Sequence, residues 1–362
     1  MDVGHLRMYF VSLVSFIIIC HRLILETESC KSPGLFPITM ALEWAVGSSL
    51  LLDKNSICRK TKCLAGKQRR ICRKEPQIVR EVIDGAKVAI RECQVQFANR
   101  RWNCTAHRRS IGKILKRDTR ESAFLFAISA AGVLKSVTEA CSMGELPLCS
   151  CVHHRDTKTA KGKFVWSGCN DDVQYGYTKS KDFMDARPKK RRGDIRTLIQ
   201  LHNNEAGRRA VINNMTSKCK CHGLSGSCSL KTCWRTLPHF SAIGNDLKNR
   251  FDGAFKVIIS NDGDTLISAG DSKPYRKIDL IYTEDSSTNF CKASKRHGSL
   301  GTSGRLCDPH SMGVEGCGIL CCGRGYRTYQ MTEEENCQCR FVWCCEVICK
   351  KCMVTKTIHR CV

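Results

Sequence analysis

Between Lys218 and Trp234 the chain reads KCKCHGLSGSCSLKTCW. Cys219 and Cys233 enclose Cys221 and Cys228, which in turn enclose His222-Gly223-Leu224-Ser225-Gly226-Ser227. Nested pairing of the four sulfurs makes a rigid hairpin with Ser225 at its tip. Glycines on both sides permit a tight turn and leave room around the hydroxyl for a modifying enzyme. Turn chemistry alone also allows a Gly/Ser loop that only connects. A third chemistry is nucleophilic, because Gly223-Leu224-Ser225-Gly226-Ser227 approaches the G-x-S-x-G elbow of serine hydrolases. The final glycine is missing, however, and His222 has no acidic neighbour, so a triad needs distant residues. Cys219-Lys220-Cys221, Cys337-Gln338-Cys339 and Cys349-Lys350-Lys351-Cys352 could hold zinc, but few histidines lie among these cysteines and disulfides are the expected use.

The elements around this hairpin must fold in an oxidising compartment, since 27 cysteines in 362 residues are foreign to a reducing cytosol. The start agrees. Met1–Arg7 is weakly basic and Met8–Cys20 is an almost unbroken apolar run, too short to span a bilayer. Residues 1–29 are therefore expected to be a signal peptide, a buried N-terminal helix being the alternative. No later stretch reads as apolar for long enough to cross a membrane, so membrane attachment is expected to be covalent. The net charge of +25 implies an anionic partner; outside the cell the candidates are sulfated glycans and acidic lipid surfaces rather than nucleic acid, and heparan sulfate is the one expected. The sharpest basic run, Lys189-Lys190-Arg191-Arg192, reads as a solvated loop or a proprotein cleavage site.

Apolar residues recur at helical spacing from Pro76 to Arg101, from Arg120 to Ala140 and from Ile195 to Met215, and a further helix is expected from Ala242 to Phe251. Cys141–Gly176 lacks periodicity and carries Cys149, Cys151 and Cys169, which suggests cross-linked hairpins inserted into a helical body. Cysteine disappears from Asp252 to Asp279 while Gly, Asp and Ser rise, the composition of a linker. The tail 291–362 holds 12 cysteines and almost no continuous apolar segment, so disulfides must hold it. The expected class is α+β and disulfide-rich, with a helical N-terminal domain (30–251), a linker (252–290) and a small cystine-stapled β-hairpin C-terminal domain (291–362).

Six segments together carry a resemblance. CKCHGLSGSC at 219–228, RRWNCT at 100–105, WSGC at 166–169, LHNNEAGR at 201–208, LCCGRGY at 320–326 and CQCRFVWCCEVIC at 337–349 resemble Wnt proteins, over about Cys58 to Cys361. The resemblance implies that Ser225 is esterified with palmitoleate by the acyltransferase Porcupine, and that no other cofactor is needed. It implies a thumb hairpin (219–233) and a finger hairpin (337–352) that grip the cysteine-rich domain of a Frizzled receptor. The finger contacts would be Phe341, Val342, Trp343, Val347 and the adjacent Cys344 and Cys345. An LDL-receptor-related co-receptor and the carrier Wntless are the other implied partners.

The resemblance also implies disulfide pairs: Cys58 with Cys72, Cys93 with Cys104, Cys141 with Cys149, Cys151 with Cys169, Cys219 with Cys233 and Cys221 with Cys228. In the tail it pairs Cys291 with Cys322, Cys307 with Cys317, Cys321 with Cys361, Cys337 with Cys352, Cys339 with Cys349 and Cys344 with Cys345. Cys63 stands where relatives often have glycine, and is expected either to pair with Cys30 or to remain a thiol. Two sequons, Asn103-Cys104-Thr105 and Asn214-Met215-Thr216, are glycan acceptors in a secreted chain. The function expected is that of a secreted, extracellular-matrix-associated, lipid-modified signalling ligand, not an enzyme. An unlipidated heparin-binding matrix protein and a secreted serine hydrolase are the alternatives.

Overall fold

The computed structural model describes residues 58, 64, 66–104, 108–153, 164–186, 194–263, 265–270, 273–285 and 289–362. The expected signal peptide, the basic run at 189–192, and Cys30 and Cys63 lie outside them. The chain forms two compact units, one built from residues up to Ile90 together with Asp118–Thr283, the other from Arg91–Arg117 together with Glu284–Val362.

The helices of the first unit are α1 (Gly66–Lys74), α2 (Pro76–Gln96, whose last turns belong to the second unit), α4 (Arg120–Ser142), α5 (Val173–Met184), α6 (Ile195–Asn213) and α7 (Phe240–Asp252). Helix α3 (Arg108–Ile114) belongs to the second unit. Expected helix starts hold at Pro76, Arg120 and Ile195. The interval read as hairpins, Cys141–Gly176, ends inside the first turn of α5, which Asp172 begins by accepting the Tyr175 amide at 2.9 Å.

Helix α4 is the centre of the core, with Phe124, Leu125, Ile128, Val133 and Leu134 at 0 % exposure. It is long and apolar enough to cross a membrane, which corrects the sequence expectation, but 83 % of its most apolar window is buried inside the protein. Its apolarity therefore serves packing. Neighbouring helices approach it backbone to backbone. A methyl on Gly207 of α6 would stand 2.8 Å from Ala127 Cα, and one on Gly85 of α2 would stand 2.6 Å from Val133 Cα.

Described residues of the segment expected as a linker form β6 (Phe255–Ile259), β7 (Leu266–Ser268) and β8 (Ile281–Tyr282) in the sheet order β7-β6-β8. Val257 and Ile281 are fully buried against Ile199 of α6. The LHNNEAGR segment explains the attachment. Asn203 donates to the Ile281 carbonyl and accepts its amide, both at 3.0 Å, and His202 Nε2 lies 2.9 Å from the Asp279 carbonyl. Arg208, 1 % exposed, is held by Asp185 at 2.8 Å and Glu205 at 3.2 Å. Short strands in a Gly-, Asp- and Ser-rich stretch read as a linker in one dimension; two buried side chains and a polar clasp make them part of the body.

The remaining strands of the first unit are β1 (Val152–His153) paired with β3 (Cys169–Asn170), and β2 (Phe164–Ser167), β4 (Thr216–Cys221) and β5 (Leu230–Thr236) in the order β2-β5-β4. The second unit has the small hairpin β9 (Ala293–Ser294) and β10 (Ser299–Leu300), the short helix α8 (Cys317–Leu320), and the long hairpin β11 (Tyr326–Val342) and β12 (Glu346–Cys361). Its interior includes a sulfur-rich cluster of Cys317, Leu320, Cys321 and Cys361 with Cys307 packed on it. Trp102 packs 4.6 Å from Phe97 and 6.4 Å from Phe290 beside the Cys93–Cys104 bridge, where the chain turns back after α2.

Two outcomes follow from this packing. Gly207→Ala should destabilise the protein by roughly 1–3 kcal/mol through overpacking against Ala127, read as a lowered Tm and a lower secreted yield. Burial pushes the His202 pKa down, against the raising effect of the Asp279 carbonyl. The unfolded chain then binds a proton that the native state refuses, so stability is fully present above about pH 6.5 and falls below it. His202→Gln should flatten the urea midpoint between about pH 7 and pH 5.5 relative to the parent protein.

Candidate functional site: two exposed hairpin tips

In the thumb, β4 and β5 pair antiparallel with Cys219 opposite Cys233 and Cys221 opposite Lys231. The bridges are Cys219–Cys233 and Cys221–Cys228, the nested arrangement expected. The base of the hairpin is tied to the body at several points. Asn170 accepts the Arg235 amide at 2.6 Å, Asp171 accepts the Thr236 hydroxyl and the Leu237 amide at 2.8 Å, and Gly168 donates to the Cys233 carbonyl at 2.7 Å. The Gly168-Cys169-Asn170-Asp171 segment thus aims the thumb. Cys151–Cys169 anchors that segment in turn.

At the tip, Leu224–Gly226 forms a single 3-10 turn. Gly223 donates to the Ser227 carbonyl at 2.8 Å and Gly226 donates to the Gly223 carbonyl at 3.0 Å. A side chain on Gly223 would meet the Ser227 carbonyl at 2.6 Å, so glycine is required there. Ser225 sits at φ 54°, ψ 28°, the left-handed region, followed by Gly226 at φ 77°. A serine in that conformation is strained by about 1 kcal/mol, and the surrounding turn and bridge hold it. Ser225 is exposed and Leu224 is 93 % exposed. His222 Nε2 lies 3.0 Å from Thr232 Oγ1 on β5, which places this imidazole on the strand face.

The finger is longer than its two bridges suggested, a two-stranded ribbon from Tyr326 to Cys361 with an irregularity between Cys337 and Arg340. Cys337–Cys352 and Cys339–Cys349 cross it near the end. On the shaft Lys356 binds Glu333 and Glu335, whose hydrogen bonds hold its amine above the usual lysine range. Beyond the bridges Phe341 faces Val347 and Val342 faces Glu346. Phe341 is 65 %, Val347 61 % and Trp343 91 % exposed. Cys344 and Cys345, at φ 71° and 86°, are exposed thiols with their sulfurs 3.7 Å apart, which corrects the expected bond between them. Two consecutive left-handed residues make the tight reversal that joins the strands and leave the sulfurs in contact but unbonded.

Eleven of the expected pairs are formed, including Cys58–Cys72, Cys141–Cys149, Cys291–Cys322, Cys307–Cys317 and Cys321–Cys361. The C-x-C and C-x-x-C sulfurs that could have served zinc are consumed in these bridges. Asn103 is half-buried beside Trp102. The Asn214 amide donates to the Ala210 carbonyl at 2.8 Å and to Asp246 at 3.1 Å, bonds that a glycan on the same nitrogen would compete with. Sequence reasoning missed one feature, a basic cleft whose residues come from 113–117 and 296–297. Neither segment is a charge run, so only the folded chain assembles it.

Removing the inner bridge with Cys221→Ala/Cys228→Ala should leave the strands paired through Cys219–Cys233 and free the tip. Hydrogen exchange at the Gly223 and Gly226 amides is expected to accelerate roughly tenfold or more, with β4 and β5 amides changing far less.

Residues 60–362 match the Wnt family profile. Protein Wnt-6 of Homo sapiens is 48% identical over 341 residues, covering 88% of this chain and 93% of the relative. Protein Wnt-2b-A of Xenopus laevis is 44% identical over 324 residues, covering 88% of this chain and 91% of the relative. The solved structure of human WLS in complex with WNT8A contains a chain 36% identical to this one, with a TM-score of 0.59, covering 79% of this chain and 94% of that one. With most of its length matched by the family profile and by close relatives, this chain belongs to the Wnt family of secreted signalling proteins.

Proposed function

We propose that the protein is a lipid-modified ligand of Frizzled receptors, acylated with palmitoleate at Ser225 by Porcupine, with developmental signalling as its output. The observation that carries this reading is Ser225 itself: an exposed hydroxyl in a left-handed turn at the tip of a doubly bridged hairpin. Burying about ten methylenes of an attached chain in a receptor groove contributes about 8 kcal/mol, enough to make the lipid the main anchor. The exposed Phe341, Val342, Trp343 and Val347 at the finger tip supply a second, apolar contact, with Cys344 and Cys345 in the turn.

The same reading includes further partners. A relative solved with WLS supports Wntless as carrier during secretion. An LDL-receptor-related co-receptor would engage the 252–290 segment and the C-terminal side; Ile258 and Ile267, opposite each other on β6 and β7 and both about half exposed, support that surface. The charge of +25 supports retention on heparan sulfate in the extracellular matrix. Asn103 and Asn214 are the candidate glycan acceptors of a secreted chain.

The test is mass spectrometry of the Cys221–Cys228 peptide from secreted protein, read beside receptor reporter activity. An acyl adduct on Ser225 and loss of signalling in Ser225→Ala are expected, while an unmodified serine with full activity in the variant would overturn the lipid mechanism. Trp343→Ala should weaken receptor binding by about 2 kcal/mol while leaving acylation unchanged.

A further inference from the structure

Within the second unit, Lys113, Lys116, Arg117, Arg296 and His297 line an open cleft of about 400 Å³. Lys113 closes α3, Lys116 and Arg117 follow it, and Arg296 and His297 belong to the turn between β9 and β10. The two walls are fastened to each other. Lys113 Nζ donates to the Lys295 carbonyl, and within the turn His297 Nδ1 lies 3.0 Å from Ser294 Oγ, which also accepts the His297 amide at 3.4 Å. On the far side Arg117 Nε pairs with Glu284 at 3.3 Å, which orients its guanidinium.

We propose that this cleft is a binding site for a sulfated glycan chain. Among the described residues the five that line the cleft are all basic, and Glu284 stands at its edge on Arg117, so the surface favours an anionic ligand. Lys116 and Arg296 are exposed while Lys113, Arg117 and His297 are partly buried, so charge is presented at two depths of a concave surface. A narrow linear polyanion can enter such a cleft and engage both walls, whereas a flat membrane reaches only the outer groups. Arg117 and Arg296 bring planar donors suited to sulfate oxygens, and Lys113 and Lys116 bring point charges. The inference rests on the extracellular glycan retention proposed above and gives it an address.

The test uses the secreted full-length protein and immobilised heparin oligosaccharides of defined length. Lys116→Glu/Arg296→Glu changes two exposed cleft residues, and Arg73→Glu/Lys74→Glu in α1 imposes the same charge change elsewhere. The cleft variant should lose about tenfold or more in affinity at physiological salt, the α1 variant should lose far less, and desulfated heparin should not bind the parent protein. A Tm and a secreted yield equal to those of the parent protein in both variants confirm folding. Equal losses in the two variants would overturn the cleft while leaving diffuse glycan binding standing. Failure of the parent protein to bind heparin would overturn both readings. Cleft-dependent binding to phosphatidylserine vesicles without heparin binding would replace the glycan with a lipid surface and so overturn the proposal.

Discussion

Two hairpins of this protein stand in water with almost no core beneath them, and each has to hold a shape at its tip. A two-stranded ribbon is at best marginally stable alone, because half of its backbone groups face water and neither face is covered. The bridges change this by removing alternatives open to the unfolded chain. Cys219–Cys233 and Cys221–Cys228 fix the thumb up to the six residues around Ser225, and Cys337–Cys352 and Cys339–Cys349 fix the finger just short of Phe341. What lies outside each terminal bridge is short and largely exposed. That division lets residues such as Leu224 and Trp343 remain in solvent without the hairpin collapsing over them.

Rigid hairpins are useful only if the body that carries them is rigid too. Helix α4 provides that in the first unit, and it does so with small residues rather than large ones: Gly132 and Ala127 let α2 and α6 approach within backbone contact. Close approach exposes helices to the cost of buried polar groups, and α6 answers with a dense set of partners. Arg208 sits between Asp185 and Glu205, Asn204 donates to Asp185, and Tyr177 donates to Glu205. Burial alone would raise the Glu205 pKa, but the Tyr177 and arginine hydrogen bonds hold it below the usual carboxylate range. Asn203 of the same helix then clasps β8, so one polar stripe both completes the core and secures the sheet.

Much of this was legible in the chain itself. The periodicity of Ile78, Val79, Val82 and Ile83 marked α2, and the alanine-rich run after Arg120 marked α4, because a buried helical face repeats every three or four residues. The thumb was legible as a possible nested hairpin from the spacing of Cys219, Cys221, Cys228 and Cys233, and the pairing itself from the family resemblance. Helix α5 was not, since Val173–Met184 mixes tyrosines, lysines and serine and its helical start depends on the Asp172 cap. The composition of 252–279 pointed away from structure, yet a few residues, among them Val257, Ile281 and Asn203, were enough to fold it.

The sequence by itself determined the oxidising compartment, the helical body, the serine offered between two glycines and the family to which the chain belongs. These are properties of residue type and local spacing, and they survive reading in one dimension. Only the tertiary structure decided that Ser225 takes a left-handed conformation, that Cys344 and Cys345 stand as neighbouring thiols, that α4 spends its apolar surface on the core, and that Lys113 and Arg296 share a cleft. Each of these depends on contacts between residues far apart in the chain or on the exact closure of a turn, and neither is written in local periodicity.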